Sequence, residues 1–319
     1  MRAKRMARLI GYSLLQAGPV LVVATFMVFA LMQLVPGDVA IALAGENATR
    51  ARVEEIRILY GLDRPILAQY GSWLWKMAQG DMSVSMLSAE PVFDSIQRRL
   101  PVTLLVVGLA MLASLAVGIP LGLTAAMHPR RLVDFVVTAF ASLGIALPGF
   151  WLGMILVSIF AMSLNWFPVS GMAKMATDPW GAVWHAILPA VALAASGAAE
   201  VARQTRSALL EIQSSQYMRT LLAKGLPQSQ IFWKHGLKNI SVTLLTVTGL
   251  LFNRLLGGTV VIEAVFAISG MGSLVVTAAT GKDYPVIQGV MLTMVVIVVA
   301  VNLVIEILYA VFDPRITTR

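Results

Sequence analysis

The segment "YMRTLLAKGLPQSQIFWKHGLKNI", residues 217–240, is basic and polar, yet it lies between two strongly apolar parts of the chain. The whole chain of 319 residues is 58% hydrophobic and only 13% charged. That is more apolar surface than a soluble core of this size can bury. The composition therefore predicts an integral membrane protein, in which residues 217–240 form an extramembrane segment between two spans.

Charge and cysteine content narrow the possible partners. The formal net charge is +8, and excess Lys and Arg in a membrane protein marks cytosolic loops and anionic headgroups. We therefore expect contact with membrane lipid and no nucleic-acid partner. Cysteine is absent, so the chain has no disulfide framework, no thiol nucleophile and no sulfur-ligated metal.

Six segments approach the length of a membrane span. A helix needs roughly 20 apolar residues to cross the hydrocarbon. The third segment is interrupted by Pro148 and Gly149, and the fourth is weaker because it contains His185, Pro189 and Glu200. We predict an all-α polytopic protein with six transmembrane helices, at residues 9–35, 102–127, 132–164, 184–202, 241–266 and 286–312.

The positive residues predict the orientation. With six crossings, all four basic clusters fall on one side, so both termini are expected in the cytoplasm. A hairpin at Pro148 with no fourth span is the alternative. The first apolar run, followed by "IALAG", resembles a signal peptide, but about 27 residues is too long for that, and we expect an uncleaved anchor. The clusters are Arg2, Lys4, Arg5 and Arg8; Arg130 and Arg131; Arg203, Arg206, Arg219, Lys224, Lys234 and Lys238; and Arg315 and Arg319.

Residues 36–100 form the large segment expected on the outer face. "ATRARVEEIRILYGL" has helical spacing, with Val53 and Ile56 on one side and Gly61 as a stop. "ILAQYGSWLWKMAQGD" is amphipathic and carries two tryptophans suited to the membrane interface. The segment is either a small helical cap over an outer opening or a cover that only shields the span ends.

The chain lacks the motifs of an enzyme. No G-x-x-x-x-G-K-[ST] occurs, so the chain has no loop to cradle nucleotide phosphates. His128, His185 and His235 are far apart and show no paired ligand spacing. We therefore expect no catalytic residue, no metal and no cofactor bound by this chain.

Polar residues within spans indicate function by default. Arg254 and Glu263 both fall in the fifth span, where nine residues correspond to about 13.5 Å of rise and half a turn, so the two face opposite sides. Gly257 and Gly258 between them offer a point at which the helix could break. We predict that Asn253, Arg254 and Glu263 are candidates for a translocation path. Of the two charged residues, Arg254 is favoured over Glu263 as the one that faces the path or an opposing subunit. In the alternative, Arg254 is paired structurally and Glu263 lies in water at the outer boundary.

Two further patterns concern packing. Asn302 and Glu306 share a face of the sixth span and are expected to point into protein. Gly118 with Gly122, and Gly149 with Gly153, are small-xxx-small pairs that predict close helix packing.

The segment at residues 217–240 has the sequence pattern of a helix, a sharp turn and a second helix. Helical spacing continues from the fourth span through "TRSALLEIQSSQYMRTLLAK", Gly225 supplies a stop, and Pro227 can open a second short helix. The segment is either an amphipathic helix that lies on the lipid headgroups or a rigid projection that binds a partner.

Short motifs in order along the chain resemble the permeases of ABC importers of the dipeptide, oligopeptide and nickel type. "YMRTLLAKGL" followed by "KHGLKN" is similar to the loop in which a short coupling helix of that family docks on an ATPase subunit. The resemblance covers nearly the whole chain. The other motifs are "LVPGD" (34–38), "GLDRPILAQYGSWLWKMAQGD" (61–81), "RLPVTL" (99–104), "GIPLGLTAA" (118–126), "LPGFWLG" (147–153), "HAILPAVALA" (185–194), "GGTVVIEAVFAISGMGSL" (257–274), "KDYPVIQG" (282–289) and "DPR" (313–315).

The resemblance implies a type I importer fold and a set of partners. It implies a permease subunit of the bacterial inner membrane that forms half of a path for short peptides, or for nickel chelates or related small solutes. A second homologous permease, an extracytoplasmic substrate-binding protein and two ATPase subunits (or one heterodimer) are expected, with ATP and Mg on the ATPase subunits. The residues implied for ATPase coupling are Tyr217, Arg219, Thr220, Ala223, Lys224, Gly225, Leu226 and His235.

The expected organisation has four parts. Residues 1–35 hold the first span, 36–100 the outer loop, 101–312 a five-span core with the coupling loop at 203–240, and 313–319 a tail. Two other classes remain open. A stand-alone secondary transporter would need more buried titratable groups than Arg254, Glu263 and Glu306 provide. A non-transporting membrane scaffold would tolerate neutralisation of Arg254 and of the coupling loop.

Overall fold

A computed structural model describes residues 11, 15–16, 18–30, 39–45, 48–59, 61–227 and 230–312. Within these ranges the chain is helical, and its only β-type pairing is an isolated bridge between Val84 and Pro91. The helices are α1 Gly18–Ala30, α2 Val39–Ala44, α3 Arg50–Leu59, α4 Ile66–Ala78, α5 Val92–Met127, α6 Leu132–Ala146, α7 Gly149–Leu156, α8 Pro179–Gln213, α9 Gln216–Ala223, α10 Leu237–Val265, α11 Met271–Thr280 and α12 Tyr284–Phe312.

Four helices of the described ranges are long and apolar enough to cross a membrane: α5, α8, α10 with the turn before it, and α12. A fifth span results if α6 and the segment Gly149–Ser163 are counted together. The all-α class is therefore confirmed with four or five such helices. Much of the predicted first span and both chain ends lie outside the described residues, so the count of six and the side of the termini stay predictions.

The interruption at Pro148 is a sharp break rather than a kink. The helices on its two sides are bent by 96°. Leu147 is extended (φ −79°, ψ 124°), as the residue before a proline prefers, and α7 begins directly after the proline. Beyond Leu156, α7 continues as a π-helical turn, Val157–Ser163.

The predicted weak fourth span is a helix of 35 residues, α8. It begins where Asp178 accepts a hydrogen bond from the Gly181 N–H at 2.8 Å, with Pro179 in the first turn. Pro189 lies inside the helix without ending it. The length of α8 favours the topology with a fourth span over a hairpin at Pro148.

The described residues fall into two compact units. Apart from the gaps given above, residues 102–269 and 301–312 form the first unit, and residues 11–101 and 270–300 form the second. In the first unit, α5 packs closely on α8 through the predicted glycine pair. A Cβ atom on Gly118 would lie 2.6 Å from the carbonyl oxygen of Ala198, and one on Gly122 would lie 2.5 Å from that of Ala202. The prediction of close packing is confirmed, because no larger residue fits between these backbones.

Other small residues bring further helices onto α8. A Cβ on Gly144 of α6 would lie 2.9 Å from the Ala199 side chain. A Cβ on Gly258 of α10 would lie 2.9 Å from Leu193. Hence α8 is the central helix of the first unit. The second predicted pair is looser, since a Cβ on Gly149 would lie 3.5 Å from the Ala192 carbonyl oxygen and one on Gly153 would lie 3.0 Å from the Phe266 ring.

In the second unit, α1 and α4 are joined through aromatic side chains. The Tyr70 hydroxyl lies 2.8 Å from that of Thr25 and donates to the Val22 carbonyl at 3.1 Å. The rings of Phe29 and Trp73 pack at 5.8 Å between centroids. The amphipathic helix α4 thus packs on the apolar helix α1 through Tyr70 and Trp73.

The rest of the second unit is organised around Asp283, a buried residue whose carboxylate holds a turn of the outer segment. It accepts hydrogen bonds from the Ser85 hydroxyl at 2.5 Å and from the Met86 N–H at 3.1 Å. Beside it an apolar cluster joins the start of α5 to α11 and α12. The cluster consists of Val92, Ile96, Met271, Leu274, Ala278, Val286, Ile287 and Val290.

The helix that contains the second predicted span begins at Val92, ten residues before that span, because Val92 and Ile96 bury their side chains in the cluster just described. One expectation needs correction. Asn302 and Glu306 share a face of α12, but that face is exposed rather than turned into this chain. The helix predicted near Ile56 is confirmed, with Ile56 buried and Gly61 left-handed (φ +67°).

We expect Gly118→Ala to lower the free energy of unfolding by about 1–3 kcal/mol, because its methyl group overlaps the α8 backbone. Gly108→Ala is the matched control on the same helix, since a Cβ there meets nothing within 4 Å. The control should be neutral or stabilising, as alanine is the better helix former. Thermal unfolding of the purified variants in one detergent measures both. Equal melting temperatures for the two variants would contradict the close packing.

Candidate coupling site and translocation face

The junction between α8 and α9 is a capped corner. α8 ends at Gln213, and Ser215 adopts an extended conformation (φ −70°, ψ 153°). The Ser215 hydroxyl accepts a hydrogen bond from the Met218 N–H at 3.4 Å, the position of an N-cap. The predicted continuous helix through Lys224 is therefore wrong, because Ser215 starts a new helix.

The predicted stop at Gly225 is confirmed, and its hydrogen bonds form a Schellman motif. Gly225 is left-handed (φ +76°), and its N–H donates to the Leu222 carbonyl at 2.9 Å. The Leu226 N–H donates to the Leu221 carbonyl at 3.3 Å. These two bonds satisfy carbonyls at the end of α9 and turn the chain sharply.

The residues after the turn at Gly225 belong to the predicted fifth span. The Pro227 carbonyl accepts from the Ile231 N–H at 3.1 Å, and residues Ile231–Gly236 form a π-helical turn that runs directly into α10. The predicted separate short helix is thus the first part of α10. We call residues 214–236 the elbow. Residues 228–229 lie outside the described ranges.

The elbow is anchored to the helix bundle by buried side chains. Met218 is 2% exposed, and a Cβ on Gly236 would lie 3.9 Å from it and 3.3 Å from Leu209. Phe232 packs in an apolar cluster with Leu123, Ala126, Leu209 and Ile240. The Tyr217 hydroxyl lies 2.9 Å from His235 Nδ1, a hydrogen bond that joins α9 to the π-helical turn before α10.

The remaining face of the elbow is open to solvent and cationic. Of the residues predicted for coupling, Leu226 and His235 are half-buried and the others are exposed. The chain has no acidic residue between Glu211 and Glu263, so the charge of this face is not balanced locally. The exposed members are Tyr217, Arg219, Thr220, Ala223, Lys224 and Gly225.

Sequence reasoning missed two residues of the elbow. Ser215 caps α9, and Met218 anchors it. A serine just before a helical pattern is a possible N-cap signal, but the burial of Met218 depends on how the whole segment packs. The resemblance to the family placed Leu222 on the docking surface, and its side chain is 54% exposed.

The predicted break of α10 at Gly257 and Gly258 is wrong. α10 is continuous from Leu237 to Val265, and Gly258 is needed for contact with Leu193 rather than for a bend. Arg254 and Glu263 therefore stay on opposite sides of the helix.

The three path candidates have different environments. Glu263 is fully buried, and its carboxylate accepts a hydrogen bond from the Thr103 hydroxyl of α5 at 2.6 Å. The interpretation that put Glu263 in water is therefore wrong. Asn253 is half-buried, and its Oδ1 has no hydrogen-bond partner among the described residues. Arg254 is exposed and makes no ion pair in the described part of the chain.

A bidentate ion pair that sequence reasoning did not find joins α6 to α8. Arg206 donates from Nε and Nη2 to the Asp134 carboxylate at 2.5 and 2.8 Å. The Arg130 N–H also donates to Asp134, at 2.9 Å. The pair is separated by 72 residues in sequence, so spacing gave no signal for it. It fixes the short basic loop before α6 to the end of α8 that leads to the elbow.

Comparison with known proteins agrees with this arrangement. The family described as "Binding-protein-dependent transport system inner membrane component" matches residues 118–318, and the family of its N-terminal part matches residues 6–107. A provisionally named peptide transport system permease protein of Brucella suis biovar 1 is 40% identical over 98% of this chain and 99% of its own length.

Two further relatives and one solved structure extend the comparison. The oligopeptide transport system permease protein AppB of Bacillus subtilis is 36% identical over 93% of this chain and 95% of its own length. The glutathione transport system permease protein GsiC of Escherichia coli is 37% identical over 93% of this chain and 95% of its own. A chain of the MetNI methionine ABC transporter, solved in inward-facing conformations, shares the fold with a TM-score of 0.55 at 19% identity, covering 72% of this chain and 99% of that chain.

The fold, the elbow and these matches define a permease subunit of an ABC importer, a multi-pass protein of the bacterial inner membrane. The chain belongs to the family of binding-protein-dependent transport system inner membrane components. The family implies ATPase and substrate-binding partners, and its named members are permeases rather than enzymes.

We expect Asp134→Asn to lower the free energy of unfolding by about 3 kcal/mol, because it leaves the Arg206 guanidinium without its carboxylate. Arg206 is still 29% exposed, which keeps the effect at the low end of the range for buried pairs. Glu200→Gln, which breaks the more exposed pair with Arg203 on the same helix, should cost less than about 1 kcal/mol. Thermal unfolding in detergent compares the two, and a loss as large for Glu200→Gln would contradict a special role for Asp134.

Proposed function

We propose that this permease couples a six-span path to separate ATPase subunits through the elbow, with both termini in the cytoplasm. The proposal rests on one observation: one face of the elbow packs against the helix bundle, and the other face is exposed to solvent. Buried Met218 and Phe232 fix it to α5, α8 and α10, while α9 presents an exposed cationic and apolar surface. A segment built in this way moves with the helix bundle rather than independently of it.

The proposed complex contains four kinds of component. A second homologous permease completes the path, two ATPase subunits (or one heterodimer) dock on the elbows, and an extracytoplasmic binding protein delivers the solute. ATP and Mg bind to the ATPase subunits, and the present chain binds no cofactor. In support, the chain contains no nucleotide-binding loop motif, and its relatives are permease components of transport systems.

Short peptides are the proposed solute class. The relatives reported above are named for transport of peptide, oligopeptide and glutathione, and all three names describe short peptides or a peptide-like tripeptide. These names favour peptides over nickel chelates for this chain. Within the path, we propose Arg254 as the residue that meets the solute, because Glu263 is buried and held by Thr103.

Site-directed cross-linking tests the docking surface. Because the chain has no cysteine, a single cysteine at position 222 or 140 is unique. Leu222 lies on the elbow and Phe140 on α6, and both are well exposed, at 54% and 71%. A cysteine-reactive photo-cross-linker at position 222 should capture the ATPase subunits in native membranes, and one at position 140 should not. Capture at neither position, in a complex that still imports solute, would contradict docking at the elbow.

We expect Gly225→Val to reduce uptake several-fold while leaving membrane insertion intact. A β-branched residue in the left-handed conformation is strained by about 1–2 kcal/mol or more, so the Schellman turn opens and α9 shifts. Space is not the cause, since a Cβ on Gly225 would meet nothing within 4 Å.

Gly225→Asn is the control, because asparagine tolerates this backbone conformation. It should import solute at nearly the wild-type rate. ATP hydrolysis and solute uptake are measured together in proteoliposomes, and normal uptake by Gly225→Val would show that the turn does not transmit movement.

A further inference from the structure

One face of α10 remains uncovered along its length. The exposed residues recur every three or four positions, which places them in a single stripe on the helix. The opposite face is buried at Leu251, Leu255 and Ile262, and a Cβ on Gly197 of α8 would lie 2.8 Å from Leu251. The stripe consists of Thr246, Leu250, Arg254, Gly257, Val261 and Ala264.

Arg254 is the one charged member of this stripe, and it falls near the middle of the span predicted at residues 241–266. It lies 13 residues from one end of that segment and 12 from the other, or about 18–20 Å from each. A hydrocarbon layer about 30 Å thick and centred on the segment therefore places Arg254 near its middle. An arginine facing lipid at that depth is unfavourable even on the most lenient insertion scale. The side chain therefore requires water or an anion beside it.

No acidic residue of the described ranges forms an ion pair with this side chain. Glu263 is half a turn away, buried, and hydrogen-bonded to Thr103. Glu306 is exposed on α12 but forms no ion pair with Arg254 in the described part of the chain. The nearest acidic residue before Arg254 is Glu211, which precedes the elbow.

The surface next to Arg254 leaves room for a small ligand. Gly257 lies almost one turn further along the same stripe, and a Cβ there would meet nothing within 4 Å. A guanidinium beside such a space can accept a planar carboxylate through two parallel N–H···O bonds, a geometry that lysine cannot provide.

We propose that Arg254 binds the carboxylate of the transported solute at mid-membrane, which for a short peptide is its C-terminal carboxylate. This inference rests on the proposed path and names the solute group that the path recognises. The site discriminates after the binding protein has released its cargo, so the permease adds a selection step of its own. An uncharged solute of the same size passes the stripe without this contact.

The test compares tri-alanine with tri-alanine amide in proteoliposomes that contain the whole complex, its binding protein and ATP. Arg254→Gln should reduce uptake of the free acid by roughly tenfold or more, because a charged hydrogen-bonded pair is lost. Its uptake of the amide should equal that of the wild type. Uptake of the free acid by Arg254→Lys should fall between that of Arg254→Gln and that of the wild type. Phe140→Ala, on α6 and outside the stripe, should change the uptake of neither substrate.

A second readout tests binding without transport. Phenylglyoxal modifies accessible arginines, and mass spectrometry of the purified complex follows Arg254 directly. Tri-alanine should protect Arg254 from modification in the assembled complex, and the amide should not.

The remaining outcomes separate the two proposals. In Arg254→Gln, uptake of the acid and of the amide could fall equally, or the complex could fail to assemble. Either result would show that Arg254 holds a carboxylate of a neighbouring subunit and would overturn the inference. Unchanged uptake of the acid, or equal protection by acid and amide, would also overturn it. Failure of the wild-type complex to import tri-alanine would instead contradict the proposed peptide path, and the protection experiment would still decide the role of Arg254.

Discussion

The close approach of neighbouring helices to the backbone of α8 is the constraint on which the first unit depends. Gly118, Gly122, Gly144 and Gly258 each leave space that a methyl group would fill, so α5, α6 and α10 lie directly against α8. Within a membrane there is little hydrophobic drive between helices, and such packing is the main source of cohesion. The Asp134–Arg206 pair adds a fixed polar contact at the end of α8 that leads to the elbow.

The elbow continues this rigid construction to the docking surface. Ser215 separates α9 from α8 without loosening it, because Met218 and Phe232 are buried against the same helices. Gly225 completes the turn, and α10 begins at once. A force applied to α9 therefore acts on two spanning helices, α8 and α10, and α10 carries Arg254. This connects a docked ATPase to the residue proposed to meet the solute.

Much of this arrangement was predictable from the sequence, because it depends on local chemistry. Apolar length indicated the spans, Gly225 indicated the turn, and the spacing of Gly118 and Gly122 indicated close packing. The parts that were not predicted depend on contacts distant in sequence. Glu263 is buried and accepts a hydrogen bond from Thr103, 160 residues away, and Asp134 pairs with Arg206 only in the folded chain. The 96° break after Ala146 also exceeds what Pro148 alone implies, since a proline fixes a local angle and neighbouring helices set the final direction.

In the proposed complex, the elbow and α8 move as one rigid body when the ATPase subunits close. Spin labels on cysteines at Leu222 and Trp180, which are 54% and 81% exposed, report this directly across the length of α8. In the active complex, double electron–electron resonance should give the same narrow distribution of distances between the two labels in the nucleotide-free state and in the ATP-trapped state. A shifted or broadened distribution on ATP binding would show a hinge at Ser215, and it would contradict rigid transmission from the elbow to the span.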